Sequence, residues 1–231
     1  MITLLLSIIV AATLIGIGVH FIPVGGAPAA LSTSAGIPTG APMITIGMGI
    51  TGILVASSTI NQSELVVLLS GAVGSMIMMA VTMFFSNLMH IYGVGVPLAS
   101  ATFQKDPITG FEQEEYVSPG TKGHGIPTVS FISGLIGSFF GGIGGSLAYY
   151  ALYTQIVSKV TWSYMIINSV VASLSLIIFI IIAVIASYNI GGTIQGFYDK
   201  KFRKKIVTGT LSCFLISIIL SIIYVLFIGG L

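Results

Sequence analysis

Charge is what this sequence has least of. Acidic and basic residues together make up 6% of the chain, against 55% apolar residues. A water-soluble domain carries about a quarter charged residues. A globule this poor in polar groups could not cover its surface in water, whereas a lipid solvent removes that requirement. Cysteine is nearly absent as well. The one thiol, Cys213, lies inside an apolar run, so no disulfide can form within the chain and no metal motif can rest on it. The histidines His20, His90 and His124 are far apart in sequence. The net charge of +2 says little about partners, and no nucleic-acid partner is expected. No nucleotide loop, nucleophile–base arrangement or cofactor fingerprint is found. The Gly-rich runs do not follow a strand and lack the Gly-Lys-Ser/Thr ending.

What the sequence has in abundance is long apolar runs. They are Ile2–Val19, Pro42–Ile60, Leu65–Met89, Val129–Ile156, Ser163–Ser187 and Ile206–Ile228. Each is long enough to span, a spanning helix needing ~20 residues with a range from about 17, and none has a charge at its centre. A charge there costs at least ~2.5–3.5 kcal/mol on insertion scales and is accepted mainly for function. Proton relays and voltage sensors are therefore not expected within this chain alone. Glu64 stands only at the start of the third run. Barrel strands would be shorter and would alternate. In lipid each segment must satisfy its own backbone, so these runs read as helices. The first, Met1 to Val19, lacks a positive leading region and reads as a retained span rather than a cleaved signal. The predicted fold class is an all-α integral membrane protein of about six transmembrane helices.

Lysine and arginine orient the spans. The connection Lys200, Lys201, Arg203, Lys204 and Lys205 holds five of the eight positive charges. Lys105 and Lys122 lie in the long connection between the third and fourth spans. With six spans these two connections share a side, and the other side holds only Lys159. The excess marks the basic side as cytoplasmic, with both termini outside. The basic cluster then serves as a cytoplasmic anchor. Tyr149, Tyr150, Tyr153, Trp162, Tyr164, Tyr224 and Phe227 fall near the opposite boundary, where amphipathic rings favour the headgroup level.

The first half of the chain contains a duplication. HFIPVGGAPA, from His20, aligns with HIYGVGVPLA, from His90, and Gly36-Ile37-Pro38-Thr39 recurs as Gly125-Ile126-Pro127-Thr128. Each unit is a span, a His-headed Gly/Pro segment, a GIPT and a second span. The chain therefore reads as one membrane domain of parallel hairpins: about 2–60, about 65–156 with a cytoplasmic insertion at about 100–124, and a looser third at about 163–228.

The segment His20–Pro42 has no charge. Such a segment can dip back into the membrane as a broken helix, provided that protein or a wet cavity surrounds it. The freed carbonyls of Pro23, Gly25, Gly26 and Pro28, with Ser32, Thr33, Ser34 and Thr39, suit a hard cation such as Na⁺. Gly93, Gly95 and Pro97 are their counterparts in the second unit. The plainer reading is that these residues make tight turns. His20 and His90 each end a span, where a hydrogen bond to a helix-end carbonyl is the common role. A metal pair would need further ligands, and none is near in sequence. In the fourth span Ser133, Gly137, Gly141 and Gly145 recur at four-residue steps and form a helix-packing or assembly surface. Gly134, Gly142 and Gly144 widen it. Asn168, Ser169 and Ser173 in the fifth span, and Asn87 in the third, can hydrogen-bond a neighbouring helix.

The stretch GVHFIPVGGAPAALSTSAGIPTG, Gly18 to Gly40, resembles the D-subunit family of the tetrahydromethanopterin S-methyltransferase of methanogenic archaea. The stretch KDPITGFEQEEYVSPGTKGHGIPTVSFISGLIGS, from Lys105, is similar to that family too. The resemblance implies a membrane subunit of the methanogenesis complex that moves a methyl group from tetrahydromethanopterin to coenzyme M through a corrinoid and couples the transfer to Na⁺ export. It implies the C and E subunits as membrane partners, with the corrinoid and the methyl-transfer residues on other chains. No catalytic, cofactor-binding or metal residue is carried over to this sequence. Any acidic Na⁺ ligand is then expected from a partner. The run Glu112-Gln113-Glu114-Glu115 is either a docking surface or a solvated loop. A stand-alone ion or solute transporter or channel, and a purely structural scaffold, are the alternatives.

Overall fold

The computed structural model describes residues 1–23, 36–95, 104–112, 117–118, 121–122, 126–190, 196–198 and 200–230. The described chain is built from long helices: α1 (Ile2–Phe21), α2 (Gly36–Ser58), α3 (Glu64–Leu88), α4 (Thr128–Val157), α5 (Tyr164–Ile190) and α6 (Phe202–Gly229). The shortest has 20 residues and the longest 30. At about 1.5 Å per residue all of them reach across a hydrocarbon core about 30 Å thick. Five are long and apolar enough to cross a membrane on those criteria alone, and α2 carries a shorter apolar stretch, Thr45–Ser58. The fold is all-α and of membrane type. The helices overrun the apolar runs at their ends: α2 begins at Gly36 and not at Pro42, and α6 at Phe202 and not at Ile206. Hydropathy marks where lipid begins, whereas the hydrogen-bond ladder extends into the interface. Pro38 sits in the first turn of α2, where its missing N–H has no partner to lose.

Between α3 and α4 the chain makes a π-helical turn, Met89–Val94, and two small antiparallel pairings. Lys105 bridges Glu112. Inside that loop the Asp106 carboxylate accepts the N–H groups of Ile108 and Thr109 at 2.8 and 2.9 Å. Further on, β1 (Val117–Ser118) pairs with β2 (Thr121–Lys122). The predicted insertion is thus ordered by local hydrogen bonds where it is described.

Large apolar side chains lie on both the inside and the outside of the bundle, with Ile8, Met48, Leu152 and Phe179 buried in its core. Large apolar residues such as Leu65, Ile77, Phe84, Leu215 and Leu226 face outward. Small residues let the helices close on that core, above all on α4, where Gly137, Ser138, Gly141, Gly142, Gly144, Gly145 and Ser146 are buried. Several buried serines are compatible with this because their hydroxyls return to their own helix, while Ser75 donates across to Met48 O of α2 at 3.1 Å. Ser138 donates to Gly134 O and Ser146 to Gly142 O, both at 2.7 Å. A satisfied serine packs as a small residue.

Helix α4 is the hub, packing on α1, α2, α3 and α5. Its glycines do not form one stripe for one partner. Four-residue steps advance about 40° around a helix of 3.6 residues per turn. The series Ser133, Gly137, Gly141, Gly145 therefore winds from α1 towards α2 and α5. A Cβ on Gly137 would lie 2.5 Å from Gly18 O of α1, and one on Gly145 would lie 3.4 Å from Phe179 of α5 and 3.6 Å from Ile53 of α2. Gly142 faces a fourth neighbour, with Ala72 Cα of α3 at 2.7 Å from an added Cβ. Among the described residues, α1 and α2 share no extensive face, because α4 occupies the space between them.

Two of the tyrosines expected at the headgroup boundary turn inward. Tyr149 is fully buried, and its hydroxyl donates to Asn168 Oδ1. Tyr224 donates to Leu174 O at 2.8 Å. Trp162 and Tyr164 are exposed. The hydropathy of a tyrosine does not report which way its helix face points, and buried polar partners pull the ring inward.

Adding a methyl group at Gly18 would drive it to 2.5 Å from Gly137 O and 2.6 Å from Gly141 N. These are backbone atoms and cannot swing aside. Gly18→Val is expected to destabilise the fold by on the order of 3 kcal/mol. Gly47→Ala, with nothing within 4 Å, should stay within about 0.5 kcal/mol. Thermal and detergent unfolding of the two variants, compared with the parent chain, measures both.

Candidate functional site

A cluster of polar contacts between helices lies at one end of the bundle. There α1 ends, α4 begins, α5 ends and α6 begins. At this end His20, the penultimate residue of α1, is fully buried. Its Nδ1 lies 2.5 Å from Gly16 O, one turn back. A carbonyl only accepts, so Nδ1 carries the proton. On the other side of the ring, Nε2 lies 2.8 Å from Asn189 Nδ2 of α5. An amide NH₂ only donates, so Nε2 presents its lone pair. Both contacts describe a neutral imidazole in a single tautomer.

Asn189 has further contacts. Its Nδ2 also donates to Lys205 O at 2.5 Å, and its Oδ1 lies 3.4 Å from Thr208 Oγ1, whose one proton has a nearer acceptor in Lys205 O at 3.1 Å. Lys205 Nζ donates to the Asn189 backbone carbonyl at 2.7 Å. That carbonyl belongs to the last turn of α5, where carbonyls lack helical partners and a cation opposes the helix dipole favourably. Gly209 makes the arrangement sterically possible, because a Cβ there would collide with His20 Nε2 and Asn189 Nδ2.

A second knot lies beside the first. Ser133 Oγ donates to Phe21 O at 2.5 Å and accepts the Phe197 N–H at 3.1 Å. It thereby ties α4 to the end of α1 and to the short 3₁₀ turn Gly196–Tyr198. Gly196 has φ +57° and faces Ser133 Oγ, so both its conformation and its space exclude a side chain. Phe21 covers this knot, its ring 4.9 Å from that of Phe202 and 6.1 Å from that of Phe140. Asn87 completes the end. Its Nδ2 donates to Ile126 O at 2.9 Å, and its Oδ1 accepts the Ile126 N–H at 2.7 Å. The expected partner was a neighbouring helix, and the observed one is the backbone of the second GIPT, just before α4.

Only some of the residues singled out by sequence lie at this junction. Pro23 lies where α1 runs out, against Gly134 of α4. Gly25, Gly26, Pro28, Ser32, Thr33, Ser34 and Pro97 lie outside the described residues, as do Gly125 and most of the Glu112–Glu115 run. Thr39 falls in α2, in a stretch whose side chains are likewise outside the description. Gly93 and Gly95 are exposed at the π turn, Gly95 with φ +73°. Gly137, Gly141 and Gly145 are used within the chain, and Ser133 is a knot of the junction. Asn168 pairs with Tyr149, while Ser169 and Ser173 bond back to Met165 O and Ser169 O of their own helix. Of the basic cluster, Lys205 turns inward, while Lys200, Lys201, Arg203 and Lys204 are exposed. Asn189, Thr208 and Gly209 escaped the sequence reading. The available signal was an amide at the end of the fifth apolar run, on the same predicted side as His20.

The chain is similar over nearly its whole length to proteins of one family. The family model for the D subunit of tetrahydromethanopterin S-methyltransferase matches residues 1–217. A protein of that name from Methanothermobacter marburgensis is 49% identical over 224 residues, covering 97% of this chain and 95% of the relative. Those from Methanosarcina mazei and Methanocaldococcus jannaschii are each 45% identical, covering 96% and 97% of this chain and 94% and 96% of the relatives.

Asn189→Leu would leave His20 Nε2 without its donor and take one of two side-chain donors from Lys205 O, which keeps Thr208 Oγ1 at 3.1 Å. It is expected to lower stability by roughly 2 kcal/mol, the scale for orphaned buried groups. Ser173→Ala, at an exposed position bonded only within α5, should change it by less than about 0.5 kcal/mol. Equal melting temperatures for the two variants would contradict the role assigned to the junction.

Proposed function

The chain belongs to the D-subunit family of tetrahydromethanopterin S-methyltransferase, and on that premise we propose that it is a non-catalytic, multi-pass membrane subunit of the complex transferring methyl from methyl-tetrahydromethanopterin to coenzyme M, coupled to Na⁺ export. The family match over residues 1–217 carries this reading. The chemistry of the interior supports the non-catalytic part. The six acidic residues all lie outside the apolar runs. The buried hydroxyls of Ser138, Ser146, Ser175 and Ser187 donate to carbonyls of their own helices, and His20 has both ring nitrogens engaged. Corrinoid binding and methyl transfer are assigned to other chains of the complex, and its C and E subunits are the membrane neighbours.

Na⁺ meets this chain, in this reading, at the segment that follows Pro23, through carbonyls of Pro23, Gly25, Gly26 and Pro28 and hydroxyls of Ser32, Thr33, Ser34 and Thr39. Pro23 supports the assignment by leaving α1 against α4 and not on the bundle surface. The cations of Lys200–Lys205 stand at the same end and oppose a lone Na⁺. A carboxylate from a partner chain therefore completes the shell. The basic end is cytoplasmic and both termini face outward, as the lysine and arginine distribution requires.

Two measurements test this. In the reconstituted complex, Gly25→Val and Gly26→Val should lower the Na⁺ moved per methyl group transferred, with methyl transfer itself persisting in detergent. An unchanged ratio in a normally assembled complex would make the chain a scaffold. For orientation, a Cys213→Ser background carrying Ser158→Cys should react with an impermeant maleimide in right-side-out vesicles. The same background carrying Lys204→Cys should react only after permeabilisation.

A further inference from the structure

An open groove of about 490 Å³ runs between α1 and α6 on the outer surface of the bundle, lined by Thr13, Ile206, Val207, Thr210, Leu211 and Phe214. The size is that of a site for a small ligand. Its walls are apolar. Thr13 donates its hydroxyl to Ile9 O at 2.7 Å, within its own helix. Val207, Leu211 and Phe214 are 66%, 58% and 41% exposed, so the groove opens towards lipid.

The groove has a charged head. Arg203, Val207, Thr210 and Phe214 follow at steps of four, three and four residues along α6, which places them on one helix face. Arg203 therefore stands one turn beyond the groove, with Lys204 beside it. Both are exposed. Lys205, the next residue, is turned the other way, to the α5 carboxyl end. A basic rim above an apolar slot complements one kind of occupant, a molecule with an anionic head and a hydrocarbon tail.

We propose that the α1–α6 groove is a binding site for one anionic phospholipid of the leaflet on the basic side, its chain lying along Val207, Leu211 and Phe214 and its phosphate held by Arg203 and Lys204. A helix from a partner chain fits the groove less well. Membrane helices associate through small residues that let backbones approach. Four of the six residues that line this groove are Ile, Val, Leu and Phe, and no glycine or alanine is among them. The proposal rests on the membrane placement and not on the Na⁺ reading, so each can fail separately.

The test uses the purified complex, stripped with detergent and offered phosphatidylglycerol or phosphatidylcholine, with lipid retained per complex read by native mass spectrometry. The expected result is preferential retention of phosphatidylglycerol. Arg203→Gln with Lys204→Gln should weaken that retention roughly tenfold or more, from the loss of two attractions at the membrane surface. Thr210→Trp, which fills the groove and leaves the charges intact, should weaken it too, while Lys159→Gln at the opposite end should not. The surface double variant keeps the test decisive if Thr210→Trp does not assemble. Equal retention of the two lipids, or retention unchanged in the double variant, would overturn the proposal. So would efficient cross-linking of Leu211→Cys to another protein of the complex in the native membrane.

Discussion

The contact on which the rest of this fold depends is backbone against backbone: Gly18 of α1 against Gly137 and Gly141 of α4. In lipid there is no gain from hiding apolar surface, because the solvent is itself apolar. Helices must be held by close van der Waals packing and by hydrogen bonds between them. Close packing requires that side chains be absent where the axes cross. The same device recurs where Gly144 meets Ala11 and where Gly142 meets Ala72. α4 is central because it has small residues on several faces at once.

Polar closure complements that packing and is concentrated at one end. His20, Asn189 and Lys205 join α1, α5 and α6, while Ser133 joins α4 to α1. Away from bulk water an unmade hydrogen bond at these helix ends would cost more than one at the surface. This is why nearly every donor and acceptor in the junction is used. The same end carries the basic residues, and their division is informative: Lys205 completes the interior, whereas Arg203 and Lys204 face outward above an apolar groove. One helix start thus serves both the fold and the contact with lipid.

Several particulars were legible in the sequence and several were not. The apolar runs placed every long helix of the described chain, with the largest error six residues at the start of α2, because the requirement to satisfy backbone groups in lipid leaves little choice. Asn87 was recognised as a hydrogen-bonding residue, but its partner, the Ile126 backbone, is distant in sequence and could be identified only by folding. The stripe Ser133, Gly137, Gly141, Gly145 was recognised as a packing surface. Its division among α1, α2 and α5 follows from the 40° drift of a four-residue step together with the actual positions of those helices. Tyr149 and Tyr224 carried a boundary-type signature, and interior acceptors reversed it.

By itself the sequence determined the solvent of this protein, the number and extent of its apolar helices and the family to which it is similar. Those properties depend on local hydropathy and on order along the chain, which are one-dimensional. Tertiary structure alone decided that α4 stands between α1 and α2 and that His20 meets Asn189. It also decided that Lys205 turns away from its neighbours in the basic cluster. Each of these depends on which helix faces meet. With lipid on all sides and helices apolar all round, hydropathy carries no record of that choice, and the sites where backbones can touch make it instead.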